Sequence, residues 1–132
     1  MNKPQGPQGR LSLRTVAMPA DTNPMGDIFG GWLLGQMDIA GGMHAAHRAR
    51  GRIATVAVDS MAFHKPVFVG DELSCYTEVL RVGTTSVAVQ VEAWVQRRDD
   101  HADNREIQVT QGRFTYVALD TSGQKRPLPK EE

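Results

Sequence analysis

Asp38 stands where a carboxylate is hard to accommodate. The run from Asn23 to Asp38, NPMGDIFGGWLLGQMD, starts in turn residues, passes through Gly30-Gly31 and becomes almost wholly apolar. An ionised acid among Leu34, Met37 and Ile39 is costly unless something compensates it. No basic residue lies three or four positions away on either side. A desolvated carboxylate is a stronger base, able to activate water or to attack a carbonyl itself. Ahead of it, Gly30 and Gly31 at a helix start offer bare N–H groups that can stabilise a developing oxyanion. A base close to an anion site suggests an enzyme that attacks a carbonyl.

Each of these residues also has a plainer reading. Asp38 can be a buried polar group tied to a backbone amide or an Arg. The glycines can simply permit a tight turn. Asn23 can orient a water or donate to a carbonyl, or it can brace the loop, as Asn and Asp often do. Asp27 reads as a cap or loop brace. Cys75, the only cysteine, lies in the alternating segment LSCYTEVL and is expected to face a neighbouring strand. The His residues form no HxxxH or HExxH pattern, and His44 and His47 read as polar residues near a helix end.

These residues need elements to position them. LSLRTVA, from Leu11 to Ala17, alternates as a short strand ended by Pro19. Asp21 to Asp27 is a loop. A helix is expected from about Gly31 to Arg48. It is apolar nearly all round, so it is enclosed rather than lying on a surface. Gly35, Gly41 and Gly42 weaken it by about 1 kcal/mol each relative to Ala. Close approach of a strand or another subunit is the expected compensation. Gly51 is the expected stop. Four strands follow: Ile53 to Phe63, Glu72 to Val82, Thr84 to Arg97 and Glu106 to Leu119, joined mainly as hairpins, with a charged turn from Arg98 to Arg105. Strands segregated from one helix indicate an α+β fold, with a curved antiparallel sheet wrapped round that helix. Such a sheet covers the helix on one side only. A second subunit is therefore expected over the rest, with a dimer as the minimum unit.

The bulk numbers narrow the classes. The 132 residues suit one domain, here 10–120, with tails at 1–9 and 121–132. Lys+Arg and Asp+Glu each number 15, and this zero net charge argues against a dedicated nucleic-acid binder. A local basic patch can still hold a phosphorylated small molecule. The polar N-terminus has no apolar signal region, and no stretch approaches the roughly 18 apolar residues of a membrane span. A soluble, cytoplasmic protein is expected.

Three segments, AMPADTNPMGDIFGGWLLGQMDIAGG, VAVDSMAFHKPVFVGDEL and RVGTTSVAVQVEAWV, resemble the hotdog-fold acyl-CoA thioesterases of the small bacterial YciA-like group. The resemblance runs from about Leu11 to Pro129. The blocks GD-x-FGGW-x-x-x-QMD and F-x-x-P-x-x-x-GD carry most of it. It implies a hotdog fold, hydrolysis of acyl-CoA to CoA and a carboxylic acid, and dimers within a larger oligomer, often a hexamer built as a trimer of dimers. It places the catalytic Asp at Asp38, the loop Asn at Asn23 and the oxyanion donor at Gly30 or Gly31, in a site between two subunits. It also implies CoA contacts from Ser60 to Pro66, from Arg81 to Ser86 and from the C-terminal tail. The residues singled out there are Ser60, Lys65, Arg81, Gly83, Ser86, Lys125 and Arg126. No metal or redox cofactor is expected, because CoA belongs to substrate and product. Two other readings compete: a hotdog dehydratase acting on 3-hydroxyacyl thioesters, and a sensor that binds acyl-CoA without cleaving it.

Overall fold

The structure is a computed structural model and describes residues 6–97 and 106–131. Strand β1 spans Arg10–Val16, helix α1 Gly30–Ala49, and strands β2 to β5 span Ile53–Phe63, Glu72–Val82, Ser86–Gln96 and Glu106–Ala118. A single 3-10 turn, Pro19–Asp21, follows β1. The expected turn at 98–105 lies outside the described residues.

The five strands form one sheet in the order β1-β3-β4-β5-β2, and every pairing is antiparallel. This is the hotdog arrangement, with α1 as its one long helix. Strands β3 and β4 form the expected hairpin, closed by Gly83 N–H donating to Ser86 O at 2.8 Å. Strand β2 departs from the expected run of hairpins: it pairs with β5 at one edge, and the chain then crosses to β3. Asp71 fixes that crossing. It is 1% exposed, receives Phe68 N–H at 2.9 Å, and is paired with the Arg97 guanidinium at 3.0 Å. Truncating Arg97 would leave a buried carboxylate unpaired.

The core lies between α1 and the sheet. Leu33, Met37, Ala40 and Ala45 of α1 pack on Leu73 and Cys75 of β3, on Val87, Val89 and Val91 of β4, and on Phe114 and Tyr116 of β5. Each fully buried Val, Leu, Met or Phe stabilises the fold by about 1.5–3 kcal/mol. Cys75, expected to face a neighbouring strand, lies in the core with the α1 residues, and burial pushes its thiol up to about 12. Gly41 and Gly42 have the expected close neighbour: Tyr116 lies beneath both. A Cβ at Gly35 would meet no neighbouring element within 4 Å among the described residues.

The sheet leaves one side of α1 uncovered. Ile39 and Met43 are exposed there, as are Val56, Val58 and Phe63 on the edge strand β2. The helix ends at Arg50, in the left-handed conformation with φ 56°, just before Gly51. The segment after Asp120 was expected to trail as a tail, but it folds back instead. Arg126 donates to Ala49 O and Leu119 O at 2.9 Å each, and Leu128 N–H donates to Thr84 O at 2.9 Å. Leu128 also packs against the core. The cause is visible in the geometry: Arg126 satisfies a carbonyl at the end of α1 that the helix itself cannot.

Candidate active site

The loop before α1 is braced by Asn23. Its Oδ1 accepts from Met25 N–H at 2.9 Å and Asp27 N–H at 3.1 Å, while its own N–H donates to Asp27 O at 2.7 Å. The plain reading of Asn23 therefore holds for its oxygen. Its Nδ2 has no partner among the described residues and remains available to donate. Asp27 is held by its backbone and does not cap the helix; the N-cap is Phe29, which makes no side-chain cap.

Helix α1 consequently starts uncapped. Its first N–H donors to carbonyl are Trp32, to Phe29 O at 3.1 Å, and Leu33, to the same oxygen at 3.3 Å. The N–H groups of Gly30 and Gly31 have no acceptor among the described residues. Two bare donors at the positive end of a 20-residue helix form an anion site. Among the described residues nothing lies within 4 Å of the position a Cβ would take at Gly31, and at Gly30 the nearest atom is Phe63 Cζ at 3.8 Å. A cavity of about 300 Å³ opens beside Gly30, walled by Ile28, Phe29, Leu33, Phe63 and Val67, with His64 and Lys65 also lining it.

Asp38 lies two helical turns further on. It is expected to be buried with a second subunit over the open side of the helix, and within one chain it is partly buried. The reason is the uncovered side of α1. Its Oδ1 accepts a hydrogen bond from Thr55 Oγ1 of β2 at 2.8 Å. No cation pairs with it among the described residues. Its main-chain oxygen accepts from the Tyr116 hydroxyl at 3.0 Å. Burial, and then the Asp38 charge, push the Tyr116 phenol well above its usual range, so it remains a donor.

One chain does not bring Asp38 and the first N–H groups of α1 together. At a rise of about 1.5 Å per residue, Gly31 and Asp38 are roughly 10 Å apart along α1. Both cannot touch one carbonyl, whose partners must lie within about 3 Å. Asp38 does not line the Gly30 cavity.

The expected CoA contacts are dispersed. Lys65 shares the cavity with Gly30. Ser60 has φ 59° at a bulge in β2 and borders a separate hollow with Gln90, Gln111 and Arg113. Arg81, Gly83 and Ser86 stand at the β3–β4 turn, and Lys125 is exposed near the Leu119 bridge. Arg126 is committed to two carbonyls, which argues against its phosphate role. Thr55 was not anticipated; a Thr in the strand IATVAVD has no local signature of function.

The sequence from 25 to 100, more than half of the chain, matches the family model of the thioesterase superfamily. The chain belongs to the thioesterase superfamily. Among its relatives, the acyl-CoA thioester hydrolase YciA of Escherichia coli is 50% identical over 125 residues, covering 95% of each chain. The hexameric hotdog-fold thioesterase Cj0915 of Campylobacter jejuni superposes with a TM-score of 0.87 at 45% identity, covering 92% of this chain and 91% of that one. A more distant family member, an acyl-CoA hydrolase of Staphylococcus aureus, superposes with a TM-score of 0.77 at 28% identity, covering 91% and 75%. It has been solved with an Asn, an Asp and a Thr each replaced by Ala.

Proposed function

We propose that this thioesterase hydrolyses acyl-CoA, with Asp38 as base or nucleophile and the Gly30 and Gly31 N–H groups as the oxyanion site. The supporting observation is the pairing of an uncapped, glycine-opened helix start with a carboxylate oriented by Thr55 and paired with no cation among the described residues. The curated relatives named as acyl-CoA thioester hydrolases supply the substrate class.

The roughly 10 Å between Gly31 and Asp38 requires two chains at each site. We therefore assign the carboxylate to a facing subunit. A dimer formed over β2 and the open side of α1 would cover Ile39, Met43, Val56 and Val58. It would also desolvate Asp38, which one chain alone leaves partly in water. Hexameric relatives support assembly of such dimers into a trimer of dimers.

In the reaction the thioester carbonyl accepts from Gly31 N–H, aided by Gly30. Acting as a base, Asp38 takes a proton from water as the water oxygen bonds to the carbonyl carbon. The C–S bond then breaks, and Asp38 returns the proton to the CoA thiolate. Acting as a nucleophile, the Asp38 carboxylate bonds to the carbonyl carbon, and the C–S bond breaks to release the CoA thiolate. Water then opens the resulting anhydride to the carboxylic acid and Asp38, its released proton passing to the thiolate. Asn23 Nδ2 orients the water or the acyl group. The apolar wall of the Gly30 cavity receives the acyl chain. Ser60, Lys65, Arg81, Gly83, Ser86 and Lys125 are proposed CoA contacts, with Lys65, Arg81 and Lys125 serving the phosphates. No metal or redox step is needed. The substrate makes the cytoplasm the proposed location.

The spacing of Asn23, Asp38 and Thr55 equals that of the three positions altered in the S. aureus relative. This supports treating them as one constellation. Release of CoA thiol from an acyl-CoA tests the function. Stoichiometric thiol and acid support hydrolysis. Binding without thiol release would favour a sensor, and an enoyl product from a 3-hydroxyacyl ester would favour a dehydratase.

A further inference from the structure

Tyr116 is fully buried in the core and stacks on Phe114, with ring centroids 6.4 Å apart. Its hydroxyl donates to the main-chain oxygen of Asp38 at 3.0 Å. That carbonyl lies inside α1, where it also receives the helix's own bond from the residue four positions on. The bond from Tyr116 is therefore additional to the helix and tethers this turn of it to β5.

Gly41 makes the tether possible. A Cβ there would strike the Tyr116 hydroxyl and lie 3.0 Å from Val91 Cγ2. A Cβ at Gly42 would sit 3.6 Å from the Tyr116 ring. Two glycines in mid-helix weaken a helix, and here they admit one phenol to one carbonyl. Thr55, which holds the Asp38 carboxylate, is paired directly with Tyr116 across β2 and β5. Residues opposite each other in an antiparallel pair project to the same face. One cross-strand pair thus grips both ends of Asp38.

We infer that Tyr116 is a positioning residue for Asp38, seated by Gly41, which fixes where the helix presents the carboxylate. This rests on the catalytic reading of Asp38 given above. The bond does not touch substrate; it acts through the placement of the Asp38 backbone. A displacement of about 1 Å in a reacting group can cost roughly a hundredfold in rate. Loss of one of two anchors is expected to cost less, about tenfold.

The test measures kcat and KM for one short-chain acyl-CoA in the intact oligomer. The variants are Tyr116→Phe, Asp38→Asn, their double mutant and Gly41→Ala. Tyr116→Phe removes only the hydroxyl, and the Asp38 carbonyl keeps its helical partner. The expected result is kcat lowered about tenfold, KM within twofold, and no further loss when Tyr116→Phe is added to Asp38→Asn. Gly41→Ala, which evicts the hydroxyl, should reproduce the kcat loss if it assembles. Parental kcat in Tyr116→Phe overturns the inference. So does the same fractional loss with and without the Asp38 carboxylate, or loss of the oligomer, since either assigns Tyr116 to folding alone. If Asp38→Asn itself turns over at the parental rate, the underlying catalytic reading fails, an outcome distinct from the others.

Discussion

Thr55 and Tyr116 face each other across β2 and β5, and both donate to Asp38, one to its carboxylate and one to its carbonyl. Among the described residues the acid is thus held by the sheet and not by a cation. Neutral donors orient a carboxylate while leaving it charged and basic, whereas an ion pair would stabilise its resting state more strongly.

Replacing Thr55 with Ala removes the donor to Asp38 Oδ1. Hydrogen bonds to charged groups contribute about 1.5–3 kcal/mol, though this one is partly exposed and its full effect is not expected. A fall in kcat of roughly tenfold should follow, with Thr55→Ser recovering most of it. Steady-state kinetics at matched oligomer concentration would check this, and full activity in Thr55→Ala would remove Thr55 from the site.

Gly41→Ala and Gly35→Ala should differ in sign for the folded chain. Ala favours a helix over Gly by about 1 kcal/mol at either position. At Gly41 the added Cβ collides with Tyr116, and overpacking of this kind costs about 1–3 kcal/mol. At Gly35 it meets no neighbouring element within 4 Å among the described residues. Denaturant midpoints should fall for Gly41→Ala. They should hold or rise for Gly35→Ala unless a facing subunit fills that space, in which case the oligomer dissociates on size-exclusion chromatography.

Stability should decline above pH 9. The Cys75 thiol ionises near 9.0 when unfolded but near about 12 when buried, so between those values the unfolded chain holds fewer protons. Rising pH then favours unfolding, with a limiting slope of about 1.4 kcal/mol per pH unit for such a group. Tyr116 adds to the effect at higher pH. Midpoints measured at pH 8, 9 and 10 should fall, and Cys75→Ala should flatten the first part of the decline. The same thiol should resist alkylation until the chain unfolds, so it will not disturb a thiol-release assay.

A site shared between subunits predicts complementation. Gly31→Pro deletes one oxyanion donor at a first-turn position that tolerates proline. Neither Gly31→Pro nor Asp38→Asn oligomers should be active alone. Co-assembled in equal amounts they should regain about a quarter of parental activity, because a two-fold mixed dimer rebuilds one of its two sites. No recovery would place base and donor on one chain.

The elements were legible where side-chain period and punctuation agree. The alternation of β3 and β4, the helix start expected at about Gly31 and found at Gly30, and the Gly51 stop each carry a local signal. The β2–β5 pairing does not, because it joins segments distant in the sequence, with β3 and β4 lying between them along the chain. Within the proposed site, Asp38, Gly30 and Gly31 stand out in the sequence as an acid and glycines in an apolar run. Thr55 and Tyr116 were not, since a Thr and a Tyr in strands are ordinary until register sets them opposite each other beneath α1. Asp38 is partly buried within one chain because the sheet covers only one side of its helix, and an apolar helix does not reveal which side its own chain leaves open. Arg126 looked like a phosphate ligand because its two carbonyl partners are far away in sequence or hidden in the backbone.

The most direct measurement is thiol release from acyl-CoA by Asp38→Asn, with oligomer size checked alongside. General-base or nucleophilic chemistry is typically worth about 10²–10⁴-fold, so kcat should fall by at least a hundredfold while the assembly is retained. Hydrolysis at the parental rate by an intact Asp38→Asn oligomer would contradict the assignment of Asp38 to the chemistry.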